Sequence, residues 1–253
     1  VEELMALLFK TKDRNKKIWY EKTGELVESL GIALIMALII KTSVVEAYKI
    51  PSGSMENTLL VGDFLLANKF VYGMKLPIPF TDIRLPAIED PKPGDIVIFK
   101  YPRDTRINYI KRCVAVGGQT VEIRDKNLYV DGELITLPPM GKYEDPRTIP
   151  YQVNANWGIG IRDNMPPIIV PDGKLFVMGD NRDNSSDSRF WGYLDRKLVM
   201  GRAMLIHFSW APDARADEIY ASADFFKIPK LVGYNIINLH RRIRWSRLAN
   251  IVN

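Results

Sequence analysis

One stretch limits what this chain can be more than any other: "LVESLGIALIMALIIKTSVV", residues 26–45, which contains no proline and few charges. As a helix it spans about 30 Å, the thickness of a bilayer core. Glu28 lies near one end and can reach the headgroups, whereas Lys41 lies near the other and has to snorkel. The reading is a transmembrane helix over residues 26–47, preceded by a cytoplasmic N-terminal segment of residues 1–25. Two alternatives stand beside it. The uninterrupted apolar stretch, Leu30 to Ile40, is short enough for a buried core helix. The "VEA" at 45–47 offers small residues for cleavage of a secretory leader, although the mixed charge of residues 1–25 is unlike an ordinary leader. Six basic residues precede the run (Lys10, Lys12, Arg14, Lys16, Lys17, Lys22), and only Lys49 follows it within residues 46–65. The positive-inside rule then leaves the N-terminus in the cytoplasm and the rest of the chain outside. The chain starts without methionine, which leaves room for an earlier spanning segment.

Beyond residue 48 the hydrophobic pattern changes from helix-like to strand-like. Short β-rich runs at "DFLLANKFVYG", "GDIVIFKY", "NYIKRCVAV", "QTVEIRD", "KLFVMGD" and "GRAMLIHFSW" are punctuated by Gly and Pro. "LYVDGELI" predicts a hairpin with an Asp-Gly turn. The fold class expected is mainly β: an antiparallel, partly barrel-like body over residues 48–123 and 171–215. An inserted satellite region over 124–170 interrupts it, where residues 136–170 are rich in proline and poor in strand signal. Residues 216–253 form a basic tail with apolar residues at helical spacing. That tail suits either an amphipathic segment lying on anionic lipid or a terminal helix docked on the body.

Composition excludes several classes of function. With 47% hydrophobic and 10% aromatic residues the chain is not generally disordered, and a net charge of +5 spread among nearly as many acids gives no reason to expect a nucleic-acid partner. A single cysteine, Cys113, forms no internal disulfide, and His207 and His240 lack ligand spacing, so no metal and no cofactor are expected.

The stretch "KIPSGSMENTLLVGDF", just past the apolar run, puts Ser52 and Ser54 in a Gly-containing turn. A serine needs a base to become a nucleophile, and histidine is scarce here. His207 falls in a strand pattern and His240 in the basic tail. Lysine serves as a base at neutral pH when apolar surroundings depress its pKa. Lys111, flanked by Tyr109, Ile110, Cys113 and Val114, is the best candidate, although strand alternation alone leaves its direction open.

Five ordered blocks narrow the choice: the apolar run, "PSGSMENTLLVGDFLLANKF", "PGDIVIFKYP", "YIKRCVAVGG" and "GDNRDNSSDSRFWG". In this order they resemble the type I signal peptidases, a family of membrane-bound Ser/Lys endopeptidases that remove signal peptides from exported proteins. The resemblance implies Ser54 as nucleophile and Lys111 as general base. It implies that Ser52 contributes its hydroxyl to the oxyanion hole and that Ser185 orients the lysine amine. Asp187 and Arg189 would brace that wall, and Gly179 would allow close backbone packing. Ile50, Met55, Leu59, Ile98 and Ile110 would line shallow pockets for small side chains at −1 and −3. The implied partners are signal-peptide-bearing preproteins and membrane lipid, and the implied place is the bacterial inner membrane with the catalytic body on its outer, periplasmic side. One departure is Asn57, where the family often has proline, and it removes no catalytic group. The competing readings are a Ser/Lys self-cleaving repressor-type domain and a membrane-anchored binding protein that has lost activity.

Overall fold

The computed structural model describes residues 22–37, 45–73, 85–151, 161–216 and 228–252. Residues 22–37 are helical, and their apolar side chains, among them Val27, Leu30, Leu34 and Ile35, are more than half exposed. Among the described residues no helix is long and apolar enough to cross a membrane, and residues 38–44 of the expected span lie outside the described residues. The end of that span is corrected: Val45–Lys49 is strand β1, not helix. Its five residues pair in continuous antiparallel register with β2 (Asp63–Asn68), from Val45 opposite Asn68 to Lys49 opposite Phe64. Cross-strand pairing, which no local pattern reveals, decides the conformation of these residues.

The remaining strands are β3 (Ile96–Tyr101), β4 (Asp104–Val116), β5 (Thr120–Arg124), β6 (Asn127–Val130), β7 (Glu133–Ile135), β8 (Met165–Ile169), β9 (Lys174–Met178), β10 (Leu194–Asp195), β11 (Val199–Ser209) and β12 (Asn250–Ile251). They form an eight-stranded sheet in the order β1-β2-β11-β3-β4-β9-β10, with β12 beside β11, and a four-stranded sheet in the order β7-β6-β5-β8. Every named strand pair is antiparallel. The larger sheet does not close. Bulges within β11 and between β4 and β9 bend it, yet it runs out at the two-residue edge strand β10, so the barrel-like part of the expectation is corrected to an open, curved sheet.

Alternation explains which side of each strand faces inward. In β2, Asp63, Leu65 and Ala67 are buried while Phe64, Leu66 and Asn68 are half-buried, whereas Ile96–Phe99 of the central β3 are buried on both faces. One apolar cluster, including Ile50, Met55, Leu59, Leu65 and Ile98, lies beneath the serine turn. A second gathers Phe99, Val177, Trp191 and Leu194, and a third locks the two sheets together through Ala115, Phe176, Val121 and Leu128. The Asp-Gly hairpin turn is present, with Asp131 and Gly132 both at positive φ (52° and 83°), as a type I′ turn requires.

The tail returns to the body. Arg242, which ends the second of two helices at Ile228–Ile237 and Leu239–Arg242, lies 4.5 Å over the Trp210 ring, and beyond it Arg247 pairs with the fully buried Asp63 at 2.7 Å.

Candidate active site

The turn that carries the serines is closed at its base. Ile50 N–H donates to Asp63 O at 2.8 Å, and Gly62 N–H donates back to Ile50 O at 3.0 Å. Within it, Gly53–Met55 form one turn of 3₁₀ helix. Met55 and Leu59 plunge into the core, and Leu59 N–H donates to Met55 O at 2.7 Å. With those two anchors buried, Ser54 is left half-buried at the floor of a cavity of about 500 Å³, and the exposed Ser52 stands on its rim.

Strand β4 brings in the lysine. Lys111, only 4% exposed, places Nζ 2.6 Å from Ser54 Oγ, 3.1 Å from Ile110 O and 5.3 Å from the Tyr109 ring centroid. Burial holds its ammonium form down, to a pKa of about 8 from an ordinary 10.5; the charge of Arg189 adds to the effect, and Asp187 and Asp180 oppose it. The amine is therefore easily neutral, and a neutral amine at this distance is placed to take a proton from the hydroxyl.

The loop 179–189 is the third wall. Asn181 N–H donates to Ser54 O at 3.1 Å and its side-chain amide to Gly53 O at 3.3 Å, so this loop fixes the backbone of the turn. A Cβ at Gly179 would overlap both the Ser54 carbonyl oxygen and Ser185 Oγ, which accounts for glycine there. Asp187, fully buried, accepts Gly179 N–H at 3.1 Å and pairs with Arg189 through two bonds of 2.8 Å. Burial alone would raise that carboxyl, and the Arg189 guanidinium outweighs it, keeping Asp187 below the usual carboxylate range.

Not every expected residue takes its expected place. Ser185 packs against Gly179 beside the Ser54 carbonyl, but the hydrogen bonds of Lys111 Nζ go to Ser54 and Ile110 rather than to Ser185. Ile50, Met55 and Ile110 line the cavity; Leu59 and Ile98, both fully buried, lie one layer deeper in the core and do not. Their apolar character is that of a pocket floor and of a core alike, so sequence could not separate them. His207 of β11 packs edge-on against Phe64 of β2, and neither histidine lines the cavity.

Sequence reasoning missed a second support. Arg112, the neighbour of Lys111, points to the opposite face of β4 and grips the buried Asp180 through two bonds of 2.8 Å, while Thr58 Oγ1 donates to the same carboxylate at 2.6 Å. Arg112 also donates to Gly94 O at 2.7 Å. This pair ties the lysine strand, the serine turn and the loop 179–189 to one point. Its signal was the period of two along "YIKRC": if Lys111 faces the cavity, Arg112 faces away and needs a buried partner. Among the described residues no group of three His, Cys, Asp or Glu side chains could hold a metal ion.

An open antiparallel sheet that presents a buried lysine to a serine at the floor of a cleft is the architecture of a hydrolase, and comparison with known proteins places it among the peptidases. The profile of the family described as "Signal peptidase, peptidase S26" matches residues 23–209. A signal peptidase I of Pseudomonas aeruginosa is 38% identical over 219 residues, covering 77% of this chain and 75% of that protein. One from Aquifex aeolicus is 35% identical, covering 73% and 84% respectively. A crystal structure of a signal peptidase I from Enterococcus faecalis is 31% identical with a TM-score of 0.33, covering 45% of this chain and 97% of that one. The chain belongs to the signal peptidase family, peptidase S26.

Proposed function

We propose that this chain is a membrane-anchored serine endopeptidase that removes signal peptides from exported preproteins after small residues at −1 and −3. The observation that carries the reading is the 2.6 Å approach of Lys111 Nζ to Ser54 Oγ, with the amine buried and its pKa lowered to about 8. An extended peptide fits the cleft between Tyr48–Pro51, at the end of β1, and Ile107–Lys111 of β4. Neutral Lys111 takes the Ser54 proton as Oγ forms its bond to the scissile carbonyl carbon. The Ser52 hydroxyl and the Ser54 N–H meet the negative charge that develops on the carbonyl oxygen. The C–N bond breaks, the leaving amine takes the proton from Lys111, and an ester to Ser54 remains. Lys111 then takes a proton from water, the resulting attack breaks the ester, and the proton returns to Ser54. Gly179, Ser185, Asp187 and Arg189 position these groups, and Ile50, Met55 and Ile110 restrict the substrate to small side chains. The apolar run that precedes β1 anchors the chain in the bacterial inner membrane, lipid covering the apolar faces exposed along 22–37, with the catalytic body on the periplasmic side.

The test is cleavage of a peptide with Ala at −3 and −1 by the detergent-solubilised chain and its Ser54→Ala variant from pH 5 to 10. The expected result is cutting after the −1 Ala, absent in the variant, with a rate that falls on the acid side of about pH 8 as Lys111 becomes protonated. Folded protein that cuts nothing in the presence of lipid favours the inactive binding protein instead.

A further inference from the structure

The serine turn is tied to a part of the chain that the proposed reaction leaves without a task, the stretch between β7 and β8. Lys142, in that stretch, lies along the loop 179–189. Its N–H donates to Asp180 O at 3.0 Å and its carbonyl accepts from Arg182 N–H at 2.9 Å, so its backbone brackets Asn181. Its side chain then reaches in two directions. Nζ lies 2.9 Å from Glu56 Oε2, in the serine turn, and 2.6 Å from Glu144 Oε1. Glu144 Oε1 accepts the side-chain amide of Asn181 at 3.1 Å, and the same nitrogen donates to Gly53 O at 3.3 Å.

The two branches meet again at one atom, because Glu56 N–H also donates to Gly53 O, at 3.0 Å. Gly53 C=O and Ser54 N–H belong to a single peptide unit, whose trans bond points them in opposite directions. Whatever fixes the carbonyl therefore aims the N–H. Glu144 and Gly53 O can only accept here, so they set which way the Asn181 amide faces; its Oδ1 is buried and has no partner among the described residues. Two donors on one carbonyl also polarise the peptide and strengthen its N–H as a donor.

We infer that Lys142 is a positioning residue: through Glu144 and Asn181 on one side and Glu56 on the other, it holds the Gly53–Ser54 peptide so that the Ser54 N–H meets the charge developing on the scissile carbonyl oxygen. The inference rests on the proposed signal-peptide cleavage and gives the stretch between β7 and β8 a part in it. Lys142 does not line the cleft, so it acts through the turn and not on the substrate. The bond from Ser54 N–H to the carbonyl oxygen strengthens in the transition state, so misdirecting it lowers kcat and leaves KM in place. Lys142 and Glu56 are half-buried and Glu144 is exposed, which limits the effect to that of two such ion pairs, roughly three- to tenfold.

The experiment is steady-state cleavage of a peptide with Ala at −3 and −1 by the full chain in detergent, comparing wild type, Lys142→Met and Lys142→Arg at a temperature where each is folded by its thermal melt. Lys142→Met is expected to lose roughly three- to tenfold in kcat with KM unchanged. A peptide aldehyde ending in Ala, whose adduct with Ser54 places an oxygen where the negative charge forms, should bind that variant more weakly by a similar factor. Lys142→Arg keeps the charge and can donate to both carboxylates, and is expected to recover most of the rate. A wild-type kcat in Lys142→Met, a rise in KM alone, or an equal loss in Lys142→Arg overturns the positioning role and leaves the peptidase reading standing. Failure of wild type to cut any peptide overturns both.

Discussion

Lys111 is buried to 4% exposure among the Ser54 hydroxyl, the Ile110 carbonyl and the Tyr109 ring, an arrangement that serves chemistry at the expense of stability. Its pKa is depressed to about 8 in the folded chain and is an ordinary 10.5 when unfolded. The unfolded state thus binds more protons between those values, and stability from this group rises with pH across the window. Below pH 8 the burial cost is fully present, on the order of 3 kcal/mol. Lys111→Met, which fills the same space without a charge, is expected to be inactive yet more stable at pH 7 by several degrees in Tm. Thermal unfolding in detergent checks this: the gain should shrink as pH rises from 8 towards 10.5, and a gain independent of pH would mean packing rather than charge burial. The direction of this side chain was not legible in "YIKRC" alone. Alternation separates Lys111 from Arg112, but only the position of Asp180 and Ser54 in space decides which of them faces the cleft.

At the scale of elements, the turn from Ser52 to Asp63 couples sequence to mechanism most closely. Asn57, which stands where the family often has proline, has φ of 75°, in the left-handed region that asparagine tolerates. Proline, fixed near −65°, cannot adopt that conformation, so the substitution is accommodated by a different backbone and not by a looser version of the same one. Asn57→Pro is expected to destabilise by roughly 1–3 kcal/mol and slow cleavage, while Asn57→Gly keeps wild-type activity. Thermal melts and peptide turnover of the two variants measure both effects. The same turn is held from outside by the tail: Arg247 donates to Thr58 O at 2.9 Å and pairs with Asp63, which also accepts from Ser209 at 2.6 Å. Arg247→Ala leaves that buried carboxylate without its main partner, at a cost of roughly 2–3 kcal/mol in a urea melt, and Arg247→Lys restores part of it. Tail composition indicated a basic face but not this fate, because a solvated arginine and a clamped one read alike. The hairpin over 127–135 was legible from its Asp-Gly turn. Strand β8, "MPPII", was hidden by Pro166 and Pro167, which a sheet tolerates because β8 pairs with β5 alone and its register skips both prolines.

For the whole molecule, the question is why a peptidase site lies so soon after an apolar run. Ser54 follows β1 by five residues, and β1 follows the run directly, so the strand that borders the cleft is next in sequence to the apolar run. Along 22–37 the exposed apolar residues Val27, Leu30, Ile32, Leu34 and Met36 do not share one face, as they would on a helix packed against a soluble body. The run was the plainest feature of the sequence, and its boundary the least legible, since Val45 and Ala47 are apolar or small enough to end a helix and yet pair as strand. If the run anchors and the body cuts, the two functions separate under mutation. Leu30→Asp together with Leu34→Asp costs roughly 5–7 kcal/mol of insertion at the centre of a bilayer. The doubly substituted chain is expected to stay in the supernatant when vesicles are pelleted, where wild type sediments. Its turnover of a short soluble peptide should match wild type, while cleavage of a preprotein held in the vesicles falls. Loss of soluble-peptide turnover along with sedimentation would place the helix in the fold of the catalytic body, and the anchor would have to be sought elsewhere in the chain.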